Sequence, residues 1–243
     1  MNMMQRIKAY VARATPGSVG KYRSATYFLH RFMHQREDMA AIFTPFYTAN
    51  AWGDAESVSG PGSNFERTAR LRQALPSLLT KLQVSSLLDA PCGDFNWMKY
   101  LDLPLQRYVG ADVVSHLITK NQKLYGDGQK SFIVLDITTD TLPQVDVILC
   151  RDCLIHFSNR HIAAAIQNFK RSGSTYLLVS TYPGWQQNED VQTGGFRYVN
   201  LQLPPFNFPT PAYLLREKYG AEDALYFGKS LGLWKLQDIA PYP

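Results

Sequence analysis

The stretch Val84-Ser85-Ser86-Leu87-Leu88-Asp89-Ala90-Pro91-Cys92-Gly93-Asp94-Phe95 passes from an apolar run directly into a turn that carries acids and a glycine. A short apolar run bounded by turn residues reads as a buried strand, and the turn that follows is where such a strand hands over to a ligand or a helix. A dinucleotide-binding turn would need the pattern G-x-G-x-x-G, so that backbone amides can approach a pyrophosphate. Here Pro91, Gly93 and Phe95 occupy the alternating positions, so one glycine remains, and Asp94 puts a negative charge inside the turn.

Downstream, the pattern alternates. RYVGAD, SFIVLDI, VDVILC and STYLLVST are further strand-like runs, and FNWMKYL, SHLITKNQKLY and NRHIAAAIQNF between them read as helices. This predicts an α/β fold, a mostly parallel doubly wound sheet with helices on both faces. ALYFGKSLGLWKL near the C-terminus reads as a hairpin that closes the sheet with antiparallel strands. Upstream, Ser63-Asn64-Phe65-Glu66 reads as a capping box opening a helix with Leu71, Leu75, Leu78, Leu79 and Leu82 on one face, and Pro76 is expected to kink or restart it.

Ligands of open α/β sheets bind outside the carboxyl ends of the strands. The first strand ends at Asp89, the second at Asp112, the third at Asp136 followed by Ile137, and the fourth at Arg151-Asp152. Any one Asp can cap a helix or start a turn, but acids in or beside four successive strand ends favour a ligand site. A ligand bearing ammonium and sulfonium groups, S-adenosylmethionine, suits this array better than a diphosphate, because opposite charges attract. Asp112 stands 23 residues after Asp89, near the roughly 20-residue offset at which an acid reaches ribose hydroxyls.

DAPCGDFNW, with GADVV, VLDIT and ILCRDCLIHF following in order, resembles class I S-adenosylmethionine-dependent methyltransferases over about residues 84–238. WGDAESVSGPGS, NFKRSGSTYLLVST and RYVNLQLPPFNFP resemble segments of a bacterial branch of that family. The resemblance implies a Rossmann-like sheet. It also implies that Asp89 and Gly93 hold the methionine moiety, Asp112 the ribose and Asp136 the adenine. Pro91, Cys92, Asp94, Trp97, Ile137 and Arg151 complete the expected cofactor-binding set. Pro91 and Phe95 depart from the glycine-richer turn usual in the family.

Methyl transfer requires alignment and, for a hydroxyl or amine acceptor, removal of a proton. His156 is the expected base, although a histidine packed under the next helix is nearly as good a reading. Asp152 would orient it, serve as base itself or bond the loop; Arg151 would bind an anionic acceptor or pair with an acid. His161 reads as structural. Pro183 to Pro211, with five prolines, lies in the segment expected to cover the substrate as a lid over 182–211, with Tyr182, Asn188, Arg197 and Asn200 binding it. Polar and aromatic residues together there suit a sugar or other polyhydroxylated acceptor, within a wider expectation of a small-molecule or glycan substrate. The SGPGS loop is expected to close over the cofactor with Trp52 as a stacking group, or else to be a plain capping turn.

These readings divide the chain of 243 residues into an N-terminal helical extension with a cofactor-covering loop (1–62) and a methyltransferase domain (63–243). Hydrophobic residues at 45% and charged residues at 19% argue against disorder. No apolar run approaches the ~20 residues of a membrane span, and a cytoplasmic protein is expected. Arg6, Lys8, Arg13, Lys21, Arg23, Arg31 and Arg36 all precede the first acid, Glu37. A solvated basic face is the first reading of that stretch; peripheral membrane contact, a polyanionic substrate or a targeting peptide are the others. No RNA-binding module is evident, so an RNA methyltransferase is the alternative enzyme and a silent methyltransferase-like binding protein the alternative class. Cys150 and Cys153 read as reduced thiols, because no second pair completes a zinc site. No metal is expected, and the oligomeric state is not readable.

Overall fold

The computed structural model describes residues 38–217 and 227–241. The basic stretch and the apolar positions Tyr27, Phe28, Phe32 and Met33 lie outside them.

Seven strands form one sheet in the order β3-β2-β1-β4-β5-β7-β6. These are β1 (Ser86–Asp89), β2 (Arg107–Asp112), β3 (Lys130–Val134), β4 (Val147–Cys150), β5 (Tyr176–Thr181), β6 (Tyr213–Arg216) and β7 (Ser230–Lys235). β1 to β5 pair parallel, with Leu87 opposite Tyr108 on one side and Val147 on the other; β7 runs antiparallel to β5 and β6. The strand order reverses at β1 and β4, the place where open sheets bind ligands.

Alternation of side chains feeds two cores. Leu88, Ile148, Cys150, Leu177 and Val179 point to one face, and Leu87, Val147, Leu149 and Leu178 to the other. Helices α1 (Met39–Thr48), α2 (Ala69–Lys81), α3 (Ser115–Tyr125) and α4 (Asn159–Arg171) cover the faces. α1 starts where the Asp38 side chain accepts from the amides of Ala40 and Ala41, two donors left orphaned at a helix start. α4 places Ile162, Ala165, Ile166 and Phe169 on the first core. α2 places Leu71, Leu75, Leu78 and Leu79 on the second, as the leucine spacing predicts.

Three local expectations are corrected. FNWMKYL yields only a 3₁₀ turn at Met98–Tyr100, with Phe95 left-handed at a φ of 58° before it and Leu101 extended after it. α2 begins at Ala69, not after Ser63: Ser63 closes a 3₁₀ turn, and Asn64 Oδ1 accepts from Arg67 N instead. Pro76 lies inside that single helical span. The C-terminal antiparallel pair is Tyr213–Arg216 with Ser230–Lys235 rather than a hairpin inside ALYFGKSLGLWKL, because both edges of β7 are already taken by β5 and β6.

The segment expected as a lid is part of the body of the protein. Val199, Leu201, Phe206 and Phe208 are buried in the first core. Its backbone is stitched to the 3₁₀ turn after β4, with Gly194 N donating to His156 O and Arg197 N to Ile155 O. Along this stretch the segment packs into the domain rather than standing apart from it.

Candidate functional site

A cavity of about 320 Å³ opens at the carboxyl ends of β1, β2 and β4, within the size range of small-ligand sites. Its wall includes Asp89, Pro91, Cys92, Gly93, Trp97, Asp112, Asp136, Ile137, Arg151, Asp152, His156 and Tyr182, which sequence reasoning placed at one site. Topology brings them together, because each follows a strand whose end faces the same crevice.

Asp89 ends β1 and is buried, and Tyr108 Oη donates to its Oδ2 over 2.6 Å. Burial pushes its carboxyl up to about 7, against the lowering effect of the Tyr108 bond. Asp112 ends β2 and accepts from Val114 N at 3.0 Å and Gly93 N at 3.3 Å. Burial raises it to about 6, with those amides pulling the other way. Among the described residues neither carboxylate forms an ion pair. Two buried acids therefore face the cavity outside any ion pair among the described residues, with Arg151 acting on Asp89 only from a distance.

The turn between them is unusual in its residues but ordinary in its shape. Gly93 has a φ of 53°, and a methyl group there would meet Ser59 Oγ at 2.2 Å. Phe95 holds a left-handed backbone where a glycine would be at ease, at a cost of roughly 1–2 kcal/mol. Its ring packs edge-on against Tyr108 and Phe132, at 5.4 and 5.1 Å, which helps offset that strain.

Asp94 is placed differently from expectation. It does not line the cavity. Its carboxylate accepts from Ser57 Oγ, Ser59 Oγ and Val58 N at 2.9 to 3.1 Å, and so anchors the SGPGS loop to the turn. That loop forms a cavity wall through Val58, Ser59, Gly60, Pro61 and Gly62, together with Trp52, whose ring stacks on Phe46 at 5.1 Å.

Beyond β4 lies a charge cluster. Arg151 is buried, donates from Nε and Nη2 to the two oxygens of Glu217 at 3.1 and 2.7 Å, and donates from Nη2 to Gly62 O at 2.8 Å. Lys229 Nζ sits 2.6 Å from Asp152 Oδ2 and 3.2 Å from Glu217 Oε2. Arg151 and Lys229 hold Asp152 well below the usual carboxylate range, although burial opposes them. The expectation that Asp152 is a base or orients His156 is therefore corrected. A carboxylate held ionised between two cations is a poor proton acceptor, and its bonds go to Lys229 and Ser180. Arg151 follows the other reading given for it, pairing with acids: Nε and Nη2 go to Glu217 and Gly62, and Nη1 lies 3.4 Å from Asp152 Oδ2.

His156 is oriented by the Gly195 carbonyl, 2.7 Å from Nδ1. A carbonyl only accepts, so Nδ1 carries the proton and Nε2 of the neutral ring is the acceptor. Burial lowers its pKa, which keeps the ring neutral at pH 7. The rings of Trp52 and Phe196 flank it at 5.9 and 5.8 Å. His161 instead bonds Thr193 Oγ1 through Nδ1, pinning α4 to the following segment.

Of the expected substrate contacts, Tyr182 lines the cavity, whereas Asn188, Arg197 and Asn200 do not. Asn188 Nδ2 donates to the carbonyls of Asn200 and Pro204, and Asn200 Nδ2 to those of Pro183 and Trp185. Arg197 Nη1 lies 3.4 Å from Asp190. These groups shape the wall by satisfying its backbone. Sequence reasoning missed Tyr108, Phe196, Tyr198, Glu217 and Lys229; the strand-like run Tyr213-Leu214-Leu215-Arg216 before Glu217 was the available signal.

Among the described residues no helix is long and apolar enough to cross a membrane, and no cluster of His, Cys, Asp and Glu is placed to hold a metal. Cys92, Cys150 and Cys153 are free and buried.

No protein-family model matches the chain, and no curated protein matches it in sequence. Solved structures do. The N-methyltransferase NodS from Bradyrhizobium japonicum WM9 is 15% identical, with a TM-score of 0.53 over 71% of this chain and 98% of that one. The methyltransferase domain of bacterial CtHen1-C is 13% identical, with a TM-score of 0.53 over 70% and 98%. The magnesium protoporphyrin IX methyltransferase ChlM from Synechocystis PCC 6803, solved with bound SAH, is 14% identical, with a TM-score of 0.50 over 86% and 98%. The chain thus has the Rossmann-like methyltransferase fold, with a parallel core and antiparallel C-terminal strands.

Proposed function

We propose that this chain is an S-adenosylmethionine-dependent methyltransferase that modifies oxygen or nitrogen of a small-molecule acceptor. The observation that carries the reading is the pair of buried acids, Asp89 and Asp112, facing the cavity and in no ion pair among the described residues, with Asp136 beyond them and His156 also in the wall. An ammonium-bearing nucleoside fits that donor set: Asp89 for the amino group, Asp112 for the ribose hydroxyls, Asp136 for the adenine side. Pro91, Cys92, Gly93, Trp97 and Ile137 would pack around it. When bound, S-adenosylmethionine supplies a methyl group already activated on sulfur. The chain's own work is to hold the acceptor in line and to take its proton on Nε2 of His156.

The fold of the three methyltransferases supports this reading as a fold, and the acid array supports it as chemistry. A nucleic-acid acceptor is the alternative raised by the basic N-terminal stretch; no feature of the described residues favours it. The test is calorimetric titration of the full chain with adenosylhomocysteine. Micromolar binding that disappears in Asp112→Ala is expected, and absence of heat at millimolar ligand would sink the proposal.

A further inference from the structure

From the His156 end of the cavity we infer that the acceptor is a neutral aromatic hydroxyl compound rather than a glycan or an anion. This rests on the methyltransferase reading and names the substrate class of the same site. Three observations carry it.

The rings of Trp52 and Phe196 lie 5.9 and 5.8 Å from that of His156, and Tyr198 extends the wall at 5.4 Å from Phe196. All line the cavity and are only partly buried, so ring surface faces the space beside the imidazole. Flat aromatic ligands gain both apolar burial and ring-edge contacts in such a slot.

The charges nearby cancel. Arg151 and Lys229 are matched by Glu217 and Asp152 at 2.6 to 3.2 Å. The remaining basic side chain of the wall, Arg67, is exposed to solvent. An anionic acceptor would have to enter without a buried, uncommitted cation to receive it.

The polar complement is wrong for a polyol. Among the described residues that line the cavity there is no Asn or Gln. Asn188 and Asn200, which would grip sugar hydroxyls, spend their amides on wall carbonyls. One hydroxyl is well served, donating to Nε2 of His156, and the aromatic surface beside it suits an apolar ring better than a polyol.

The experiment is calorimetry on the full chain with 2-naphthol, cyclohexanol and methyl β-glucopyranoside, each with and without saturating adenosylhomocysteine. The expected result is 2-naphthol binding at least tenfold tighter than either other probe. Phe196→Leu should weaken 2-naphthol at least fivefold and leave adenosylhomocysteine affinity unchanged; Tyr198→Leu replaces it if that variant does not fold. Glucoside or cyclohexanol binding as tightly as 2-naphthol overturns the inference. Failure of adenosylhomocysteine alone overturns the methyl-transfer reading on which it rests, and the two failures are read from separate titrations.

Discussion

The phenolic oxygen of Tyr108 lies 2.6 Å from Asp89 Oδ2, and this bond, reaching across from β2 to β1, opposes the rise that burial imposes on the Asp89 carboxyl. Tyr108 donates to one oxygen and leaves the other for a ligand. Removing the hydroxyl takes away the contact that restrains the burial-driven rise of the Asp89 pKa. Adenosylhomocysteine affinity in wild type is expected to rise between pH 5.5 and 8 as Asp112, near 6, and Asp89, near 7, ionise. In Tyr108→Phe the same rise should move to higher pH. A pH profile identical to wild type would show that this bond does not tune the site.

The same raised values affect stability in the empty protein. A carboxyl with a folded pKa above its unfolded one favours folding at low pH, and that contribution drains away as pH climbs from the unfolded value through the folded one. For Asp112 and Asp89 the loss is complete just above about 6 and about 7. His156, whose pKa is lowered, contributes with the opposite sign near its ordinary range. Comparison with a variant isolates the acid: the melting temperature of Asp89→Asn minus that of wild type should increase from pH 5 to pH 8. A flat difference would mean that Asp89 is not strongly shifted.

Gly93 is held by shape. Its φ of 53° opposes a side chain, and so does Ser59 Oγ, which a methyl group there would approach to 2.2 Å. Gly93→Ala should cost about 1–3 kcal/mol in urea unfolding and weaken adenosylhomocysteine binding. Adding Ser59→Ala relieves the collision but not the backbone strain, so part of the loss should return. A double variant no better than Gly93→Ala would place the whole effect in the backbone.

Glu217 joins Arg151 and Lys229, and it is 3% exposed, so its loss leaves buried positive charge uncompensated. Glu217→Ala is expected to destabilise the fold by ~3 kcal/mol, measured by denaturant unfolding at neutral pH. A change under about 1 kcal/mol would mean that solvent reaches the cluster.

His156→Gln retains a polar group that can bond Gly195 but lacks a basic nitrogen. Turnover on any accepted substrate should fall by ~10²-fold or more, with adenosylhomocysteine affinity held within about twofold. Undiminished turnover would remove His156 from proton transfer.

Much of this was legible in the chain itself, for a physical reason. Apolar runs ending in Asp89, Asp112 and Asp136 are local signals, because a strand's period and the acid that terminates it lie within about ten residues of each other. A parallel sheet then brings all those ends to one edge, whatever the loops do. The hairpin was misplaced because its two arms, Tyr213–Arg216 and Ser230–Lys235, are separated by more chain than local pattern can bridge.

Sequence alone therefore determined the alternating α/β architecture, the edge at which ligands collect and the acids that stand there, since these follow from short-range periodicity and sheet geometry. Only tertiary structure decided which polar groups remain for a ligand. Asp94, Asp152, Asn188 and Asn200 are consumed by partners remote in the chain, Ser57, Lys229, Pro204 and Pro183. Asp89 and Asp112 form no ion pair among the described residues, and Glu217 and Lys229 arrive at the wall from far outside the motif. Hydrogen-bond and ion-pair partners are chosen by proximity in space, and that information appears only when the chain has closed on itself.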